Sequence, residues 1–402
     1  MKAIIHKGIA KGTVKAPSSK SMAHRLLICA SLSEGESLIK GVSDCADVLA
    51  TIEVVEALGV KITRMGDDVL VKGVNVLNAT PSKVMNAFES GSTLRFMLPI
   101  AMLMGTPATF TGAERLLQRP MSVYETLCLE KGVKYQSDLN SITVCGKLTG
   151  GEYNVVGNVS SQFISGLIFA LPLAEKDSVI NITTPIESRS YIDLTLSAVK
   201  LFGIQADWTN EYTIKIKGGQ KYKPTSAVVE GDYSGSAFLE ALNLFGGEVV
   251  VDGLNPDSIQ GDKIYRKHFA CLSSGIPTIH IGDCPDLGPI LFAVSAGKNG
   301  GVFSGTKRLK IKESDRAEAM ATELKKFGVS VTVLEDSVVV YPSTFNAPTE
   351  VLSGHNDHRI VMTLAVLLTT CGGEIEGAEA IKKSYPAFFD NLRQLGIKVE
   401  EV

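Results

Sequence analysis

Lys20, Ser21 and Arg25 follow the turn Pro17-Ser18-Ser19 and open an apolar run at helical spacing, Leu26, Leu27, Ala30 and Leu32. A cation, a hydroxyl and a guanidinium thus gather at a helix N-terminus, where free N–H groups and the positive end of the macrodipole already favour an anion. Comparable groups open five more apolar runs. They are Glu89-Ser90-Gly91-Ser92-Thr93-Leu94-Arg95, Val159-Ser160-Ser161-Gln162, Gly231-Asp232-Tyr233-Ser234, Pro285-Asp286 and Asn356-Asp357-His358-Arg359. Helix capping alone accounts for the Ser and Asp residues. It does not account for Lys20, Arg25, Arg95 and Arg359, because cations at helix starts oppose the dipole, so a bound anion is expected between them. Three further stretches join this set: residues 114–120 with Arg115 and Arg119, residues 310–316 (KIKESDR), and Lys382-Lys383-Ser384-Tyr385-Pro386. In KIKESDR, Ser314 or Asp315 could cap a helix, and a solvated helix start would look the same. A lysine, a carboxylate and an arginine around one turn could also supply phosphate contact, proton transfer and carboxylate clamping.

The elements that must position these residues recur along the chain. A helix-like segment ends in Gly and a strand follows at Gly59, Gly132, Gly203, Gly275, Gly328 and Gly396, spaced 73, 71, 72, 53 and 68 residues apart. Glycine suits the left-handed turn that closes a helix, and the β-branched residues after it suit a strand. A second landmark keeps phase with the first: apolar, small-residue-rich helices over residues 25–33, 92–104, 163–174, 236–245, 289–296 and 358–370. They show little polar face and are expected to be buried. Each unit then holds one buried helix, one amphipathic helix (residues 48–58 and 316–327 are clear cases) and three or four strands. The spacing shortens between the fourth and fifth units. The polar loop 218–225 puts a hinge near Val229-Glu230-Gly231-Asp232, with three units on either side.

The 402 residues are 45% hydrophobic and 21% charged with a net charge of −3, which argues against a nucleic-acid binder that relies on a basic surface. Seven cysteines (29, 45, 128, 145, 271, 284 and 371) without a C-x-x-C indicate buried free thiols rather than a disulfide framework or a zinc site. Apolar runs such as 96–104 and 360–368 are too short to span a bilayer, and the first residues lack a signal-peptide core. A soluble, cytoplasmic protein is expected.

Taken together, Lys20-Ser21 with Arg25, Gly91-Ser92 with Arg95, Arg119-Pro120, Ser160-Ser161-Gln162, Ser188 with Tyr191-Ile192-Asp193, Pro285-Asp286, Lys312-Glu313-Ser314-Asp315-Arg316, Asn356-Asp357-His358-Arg359 and Lys383-Ser384-Tyr385-Pro386 closely resemble the 5-enolpyruvylshikimate-3-phosphate synthase family, in order and spacing, from about residue 10 to 395. The resemblance implies an α/β protein of two domains in the inside-out α/β barrel of the enolpyruvyl transferases, with six βαβαββ-type repeats, three per domain. It implies an N-terminal domain over 20–229 and a second domain of 1–19 with 230–402, hinges near 19–20 and 229–230, and an active site in the cleft between them. The implied reaction transfers the enolpyruvyl group of phosphoenolpyruvate to the 5-hydroxyl of shikimate 3-phosphate and releases phosphate, in aromatic amino acid biosynthesis, with no metal or organic cofactor. A monomer is implied, with no nucleic-acid or membrane partner. By position, Lys20, Ser21, Arg25, Ser160, Ser161, Gln162, Ser188, Tyr191, Asp286 and Lys312 look like shikimate 3-phosphate contacts. Lys20, Gly91, Arg119, Gln162, Arg316, Arg359 and Lys383 look like phosphoenolpyruvate contacts, with Arg316 and Arg359 on its carboxylate. Asp286 and Glu313 look like the acid/base pair, with Lys20 and Lys383 sharing charge stabilisation.

Some positions depart from the commonest family pattern. Glu89-Ser90-Gly91-Ser92 stands where many members read N-A-G-T, Gln118 replaces a frequent Lys, and Phe96 follows Arg95 where Pro is common. Ser90 and Ser92 flank the glycine expected to approach phosphoenolpyruvate, so they bear on how the site treats inhibitors that mimic that substrate, glyphosate included. The nearest alternative is a UDP-N-acetylglucosamine enolpyruvyl transferase. That family usually has Lys-Asn where this chain has Lys20-Ser21, and commonly a reactive Cys in the loop corresponding to residues 112–119, where this chain has none. A non-catalytic anion- or RNA-binding module on the same repeat would be expected to lose at least one of Asp286, Glu313 and Lys383.

Overall fold

The computed structural model describes residues 1–402, which form two compact units, Lys20–Glu230 and Gly231–Val402 together with Met1–Ser19. In Lys20–Glu230 three four-stranded sheets share one pattern. The first orders Ser226–Val228, Gly35–Lys40, Asp68–Gly73 and Lys61–Met65; the second Met85–Asn86, Ala108–Thr111, Ser141–Cys145 and Lys134–Ser137; the third Glu152–Val155, Ser178–Ile182, Thr213–Ile216 and Ala206–Asn210. In each, the first two strands are parallel and the rest antiparallel, as a βαβαββ unit requires. The first sheet takes its leading strand, Ser226–Val228, from the far end of the segment.

The buried helices Lys20–Ser31, Gly91–Ala101 and Ser161–Ala170 belong to one hydrophobic core, and their apolar side chains are almost wholly removed from water. Each buried Leu or Ile contributes about 1.5–3 kcal/mol by that transfer. The amphipathic helices Ala46–Ala57, Ser122–Lys131 and Arg189–Leu201 pack beside them with one polar face.

Gly231–Val402 with Met1–Ser19 has its own core around the buried helices Tyr233–Ala241, Gly288–Ala296 and His358–Cys371. One sheet orders Thr278–His280, Gly301–Ser304, Ser337–Val340 and Val331–Val333. Another orders Leu352–Ser353, Gly373–Glu376, Lys2–Ile5 and Val399–Glu401, so the N-terminal strand is interior to it. The remaining sheet corrects the expectation of three or four strands per unit: only Lys11–Lys15 and Glu248–Asp252 pair, in parallel. Helix Tyr265–Ser274 leads straight to Thr278–His280 with no hairpin between them, which explains the short 53-residue spacing. Gly275 differs accordingly. Its φ of 176° is ordinary extended backbone, whereas Gly59, Gly132, Gly203, Gly328 and Gly396 close their helices at φ between 68° and 93°.

Candidate active site

Capping is real at four of the buried helix starts. The side chains of Ser90, Ser160, Asp232 and Asp357 accept from the N–H groups of Thr93, Gln162, Ser234 and Arg359. The cations beside these caps are held by other partners, and each unit does this separately.

In Lys20–Glu230, Lys20 Nζ donates to Asp47 Oδ2 at 2.7 Å, with both side chains largely buried. Asp47 lies in the first turn of the neighbouring helix Ala46–Ala57, so the first and second helices of this repeat share an ion pair. Arg25 is 2% exposed and donates from Nε to Thr195 Oγ1 and from its two terminal nitrogens to the carbonyls of Ser21 and Tyr191. Its guanidinium also lies 5.1 Å from the centre of the Phe96 ring. Arg25 therefore braces the helix carrying Tyr191 as well as standing beside Ser21. Ser188 precedes that helix at φ 59°, and Tyr191 N–H donates to its carbonyl.

Gly91, Arg95, Arg119 and Gln162 form a second cluster. Arg95 donates to Gln162 Oε1 at 2.8 Å and to the Pro120 carbonyl, and Gln162 donates to Ser92 Oγ at 3.0 Å. A β-carbon on Gly91 would lie 2.7 Å from a terminal nitrogen of Arg119, so the absence of a side chain lets the guanidinium lie against the helix start. Arg119 Nε is buried without a hydrogen-bond partner in the protein. Ser161, 4% exposed, occupies the first turn of the adjacent helix.

In Gly231–Val402, Asp286, Lys312, Glu313, Arg316 and Arg359 form one network. Arg316, 1% exposed, donates to Asp286 Oδ1 at 2.7 Å, to Glu313 Oε2 at 2.8 Å and through Nε to Asp357 Oδ2 at 2.8 Å. These carboxylates, Asp357 foremost, raise its pKa further against the effect of burial. Asp286 also accepts from Lys312 at 3.2 Å and from Arg359 at 3.4 Å. Burial lowers the pKa of Lys312 to about 8 despite the Asp286 charge, with Arg316 and Arg308 pushing the same way. Arg359 lies 5.7 Å from the Phe238 ring centre, and its Nε and Nη1 are buried without a hydrogen-bond partner in the protein. Lys383 ends a short 3-10 helix and donates to the carbonyl and side-chain oxygens of Asn356 at 2.6 and 2.8 Å.

KIKESDR does not form a helical turn as a whole. A 3-10 helix ends at Ile311, residues 312–314 form a bend, and the helix begins at Arg316 after its cap Asp315. Asp315 is the cap, through Glu318 N–H, while Ser314 donates to Asp357 Oδ2. Four partners escaped the sequence reading: Asp47, Thr195, Asn356 and Asp357. Asp47 reads as an ordinary first-turn acid, and nothing local ties Thr195 to an arginine 170 residues earlier. Asn356 and Asp357 lay inside a motif already singled out, but their bonds to Lys383 and Arg316 were not legible there.

Cys128 is the next cysteine along the chain after residues 112–119, and burial with the Glu125 charge pushes its pKa up to about 12. It is a buried, unreactive thiol. No cluster of His, Cys, Asp and Glu suited to a metal ion occurs, and no helix is long and apolar enough to cross a membrane.

Within Gly231–Val402, two carboxylates and three cations thus share one hydrogen-bonded network, an arrangement able to seat an anion and to exchange protons. The chain is similar to known proteins over nearly its whole length. A 3-phosphoshikimate 1-carboxyvinyltransferase of Clostridium perfringens is 41% identical, with 98% of each chain covered, and one of Clostridium kluyveri is 39% identical over 97% of this chain and 96% of its own. The solved EPSP synthase from Acinetobacter baumannii superposes with a TM-score of 0.81 over the full length of both chains at 23% identity, which establishes the shared two-domain fold. The family model for EPSP synthase (3-phosphoshikimate 1-carboxyvinyltransferase) matches residues 6–392, and this chain belongs to that family.

Proposed function

We propose that this chain transfers the carboxyvinyl group of phosphoenolpyruvate to the 5-hydroxyl of shikimate 3-phosphate. The observation that carries this reading is the network around Arg316. Two carboxylates, Asp286 and Glu313, lie on one guanidinium beside Arg359, whose Nε and Nη1 have no protein partner. Arg316 and Arg359 suit a substrate carboxylate because a guanidinium fork binds two oxygens at once. Lys20, Arg119, Gln162 and Lys383, with the open approach at Gly91, suit the phosphate of phosphoenolpyruvate. Ser21, Arg25, Ser160, Ser161, Gln162, Ser188, Tyr191 and Lys312 suit the acceptor's phosphate, hydroxyls and carboxylate, with Lys20 and Asp286 at its 5-hydroxyl.

The chemistry follows from these groups. Asp286 takes the proton of the 5-hydroxyl as its oxygen bonds to C2 of phosphoenolpyruvate, and Glu313 gives a proton to C3. The product of this addition is a tetrahedral ketal phosphate. The bond from C2 to the phosphate oxygen then breaks, C3 returns a proton to Glu313, Asp286 passes the hydroxyl proton to the departing oxygen, and phosphate leaves with both residues restored. Each well-placed acid or base contributes roughly 10²–10⁴-fold, and Lys20 and Lys383 offset charge on the departing phosphate. Arg316 holds both carboxylates, so an incoming substrate carboxylate competes for the same N–H groups and releases them for proton transfer.

Phosphate release on mixing the protein with phosphoenolpyruvate and either acceptor tests the reading. Release dependent on shikimate 3-phosphate is expected. Release only with UDP-N-acetylglucosamine would move the substrate while keeping the fold, and release with neither would remove the activity. Subcellular location and a monomeric state remain part of this proposal, to be read by fractionation and by light scattering.

A further inference from the structure

The loop that presents Asn356 to Lys383 is held in an unfavourable backbone. His355 and Asn356 are consecutive non-glycine residues at φ 49° and 51°. Asn tolerates that region, but His visits it seldom, and two in a row persist only where the surroundings hold them. Gly354 before them has no room for a side chain, since a β-carbon would lie 2.6 Å from Val361 and 2.9 Å from the Gly377 carbonyl.

Helix Arg316–Lys326 holds this loop at both ends. Its first residue, Arg316, binds Asp357 on one side of the strained pair. Seven residues on, at the same face two turns later, Glu323 binds the other side. Its side chain is 1% exposed, and it accepts from the Ser353 N–H at 3.0 Å, from His355 Nε2 at 2.8 Å and from Lys326 Nζ at 3.0 Å. Burial acts to raise the pKa of Glu323, but the His355, Lys326 and Ser353 donors outweigh it and hold the carboxyl below its usual range. An ionised carboxylate only accepts, so His355 donates through Nε2. A buried carboxylate this fully bonded fixes the backbone at 353 and the side chain at 355. That leaves Asn356 with its carbonyl and its amide oxygen both turned to Lys383.

We propose that Glu323 and His355 are positioning residues for Lys383, a pair that locks the strained 355–356 backbone so that the lysine ammonium is held in place for a phosphate. This rests on reading Lys383 as a phosphoenolpyruvate ligand, and it concerns neither residue's contact with substrate.

The test uses the full chain with Glu323→Gln, His355→Ala and His355→Gln, each checked for its melting temperature. In steady-state assays, Glu323→Gln and His355→Ala are expected to raise KM for phosphoenolpyruvate roughly 10-fold, since a shift of an ångström in a binding group costs up to roughly 100-fold. KM for shikimate 3-phosphate is expected to stay within twofold. His355→Gln, whose amide can still donate to Glu323, recovers most of that loss. A second readout needs no turnover: the acetylation rate of Lys383 relative to exposed Lys217, measured by peptide mass spectrometry, rises in Glu323→Gln and His355→Ala. Lower melting temperatures with both KM values and the Lys383 rate unchanged would make the pair merely structural and overturn the proposal. If the wild-type protein releases no phosphate, the proposed reaction fails by itself. The Lys383 rate then still decides the positioning role, with an unchanged rate overturning it.

Discussion

Arg316 is where the residue-scale chemistry concentrates, because one buried guanidinium serves Asp286, Glu313 and Asp357 at once. Of these, Glu313 is the expendable partner for stability, since Asp357 and Asp286 remain to neutralise the arginine when it is replaced. Glu313→Gln is therefore expected to lower kcat by about 10²–10⁴-fold in the phosphate-release assay, with the melting temperature little changed. A near-normal kcat would remove Glu313 from the proton transfer. Lys312 gives a pH prediction. Its pKa in the fold, about 8, lies below the ordinary 10.5 because burial disfavours the ammonium, so the charge is present below that pH and lost as pH rises through it. kcat/KM for shikimate 3-phosphate, which reports the free enzyme, is expected to fall about tenfold per pH unit above that point. Lys312→Arg keeps its charge throughout and should abolish that break; a profile identical in the two proteins would assign the titration elsewhere.

At the scale of elements, the start of helix Gly91–Ala101 is set by two arrangements. The first is the close approach of Arg119 to Gly91. A methyl group there meets the end of a flexible side chain, so Gly91→Ala should displace Arg119 rather than unfold the helix. The expected result is a KM for phosphoenolpyruvate raised roughly tenfold, equivalent to about 1.4 kcal/mol, with an unaltered melting temperature; an unchanged KM would mean Arg119 does not bind that substrate. The second is a buried chain of hydrogen bonds from His24 to Thr51 at 2.7 Å, Thr51 to Thr93 at 2.7 Å and Thr93 to the cap Ser90 at 2.8 Å. It ties together helices Lys20–Ser31, Ala46–Ala57 and Gly91–Ala101. Burial, with Lys20 and Arg25 acting the same way, holds His24 well below its usual pKa, so the chain is built on a neutral imidazole. Thr51→Val leaves His24 Nδ1 without this partner and should cost about 1–3 kcal/mol, read from denaturant unfolding. A cost near zero would show that the chain contributes only orientation.

On the scale of the whole molecule, the N-terminus belongs to the unit made by the C-terminal half. Lys2–Ile5 pairs on both sides, with Gly373–Glu376 and Val399–Glu401, and Lys11–Lys15 is the sole partner of Glu248–Asp252. Removing residues 1–15 would strip hydrogen-bond partners from three strands of that unit and none from the sheets of Lys20–Glu230. The truncated chain is expected to keep one cooperative thermal transition, from Lys20–Glu230, and to lose that of the other unit. Two transitions at wild-type temperatures would show that residues 231–402 fold without the N-terminal strands.

What the sequence determined by itself was local. Apolar spacing, helix-closing glycines and capping Ser and Asp act over four to eight residues, and they located the buried helices to within a few residues and the clusters at their starts. The motifs around Lys20, Gly91, Asp286, Arg316 and Arg359 also placed the chain in its family. Only the tertiary structure decided who neutralises whom: Lys20 with Asp47, Arg25 with Thr195, Arg316 with Asp286 and Asp357, and Lys383 with Asn356. It also decided that the fourth unit stops at two strands, because a missing hairpin leaves only a shortened spacing in the sequence. The reason is physical. Propensity and capping depend on neighbours along the chain, whereas a buried charge takes whichever partner packing brings within 3 Å, and these partners stand 27 to 170 residues away.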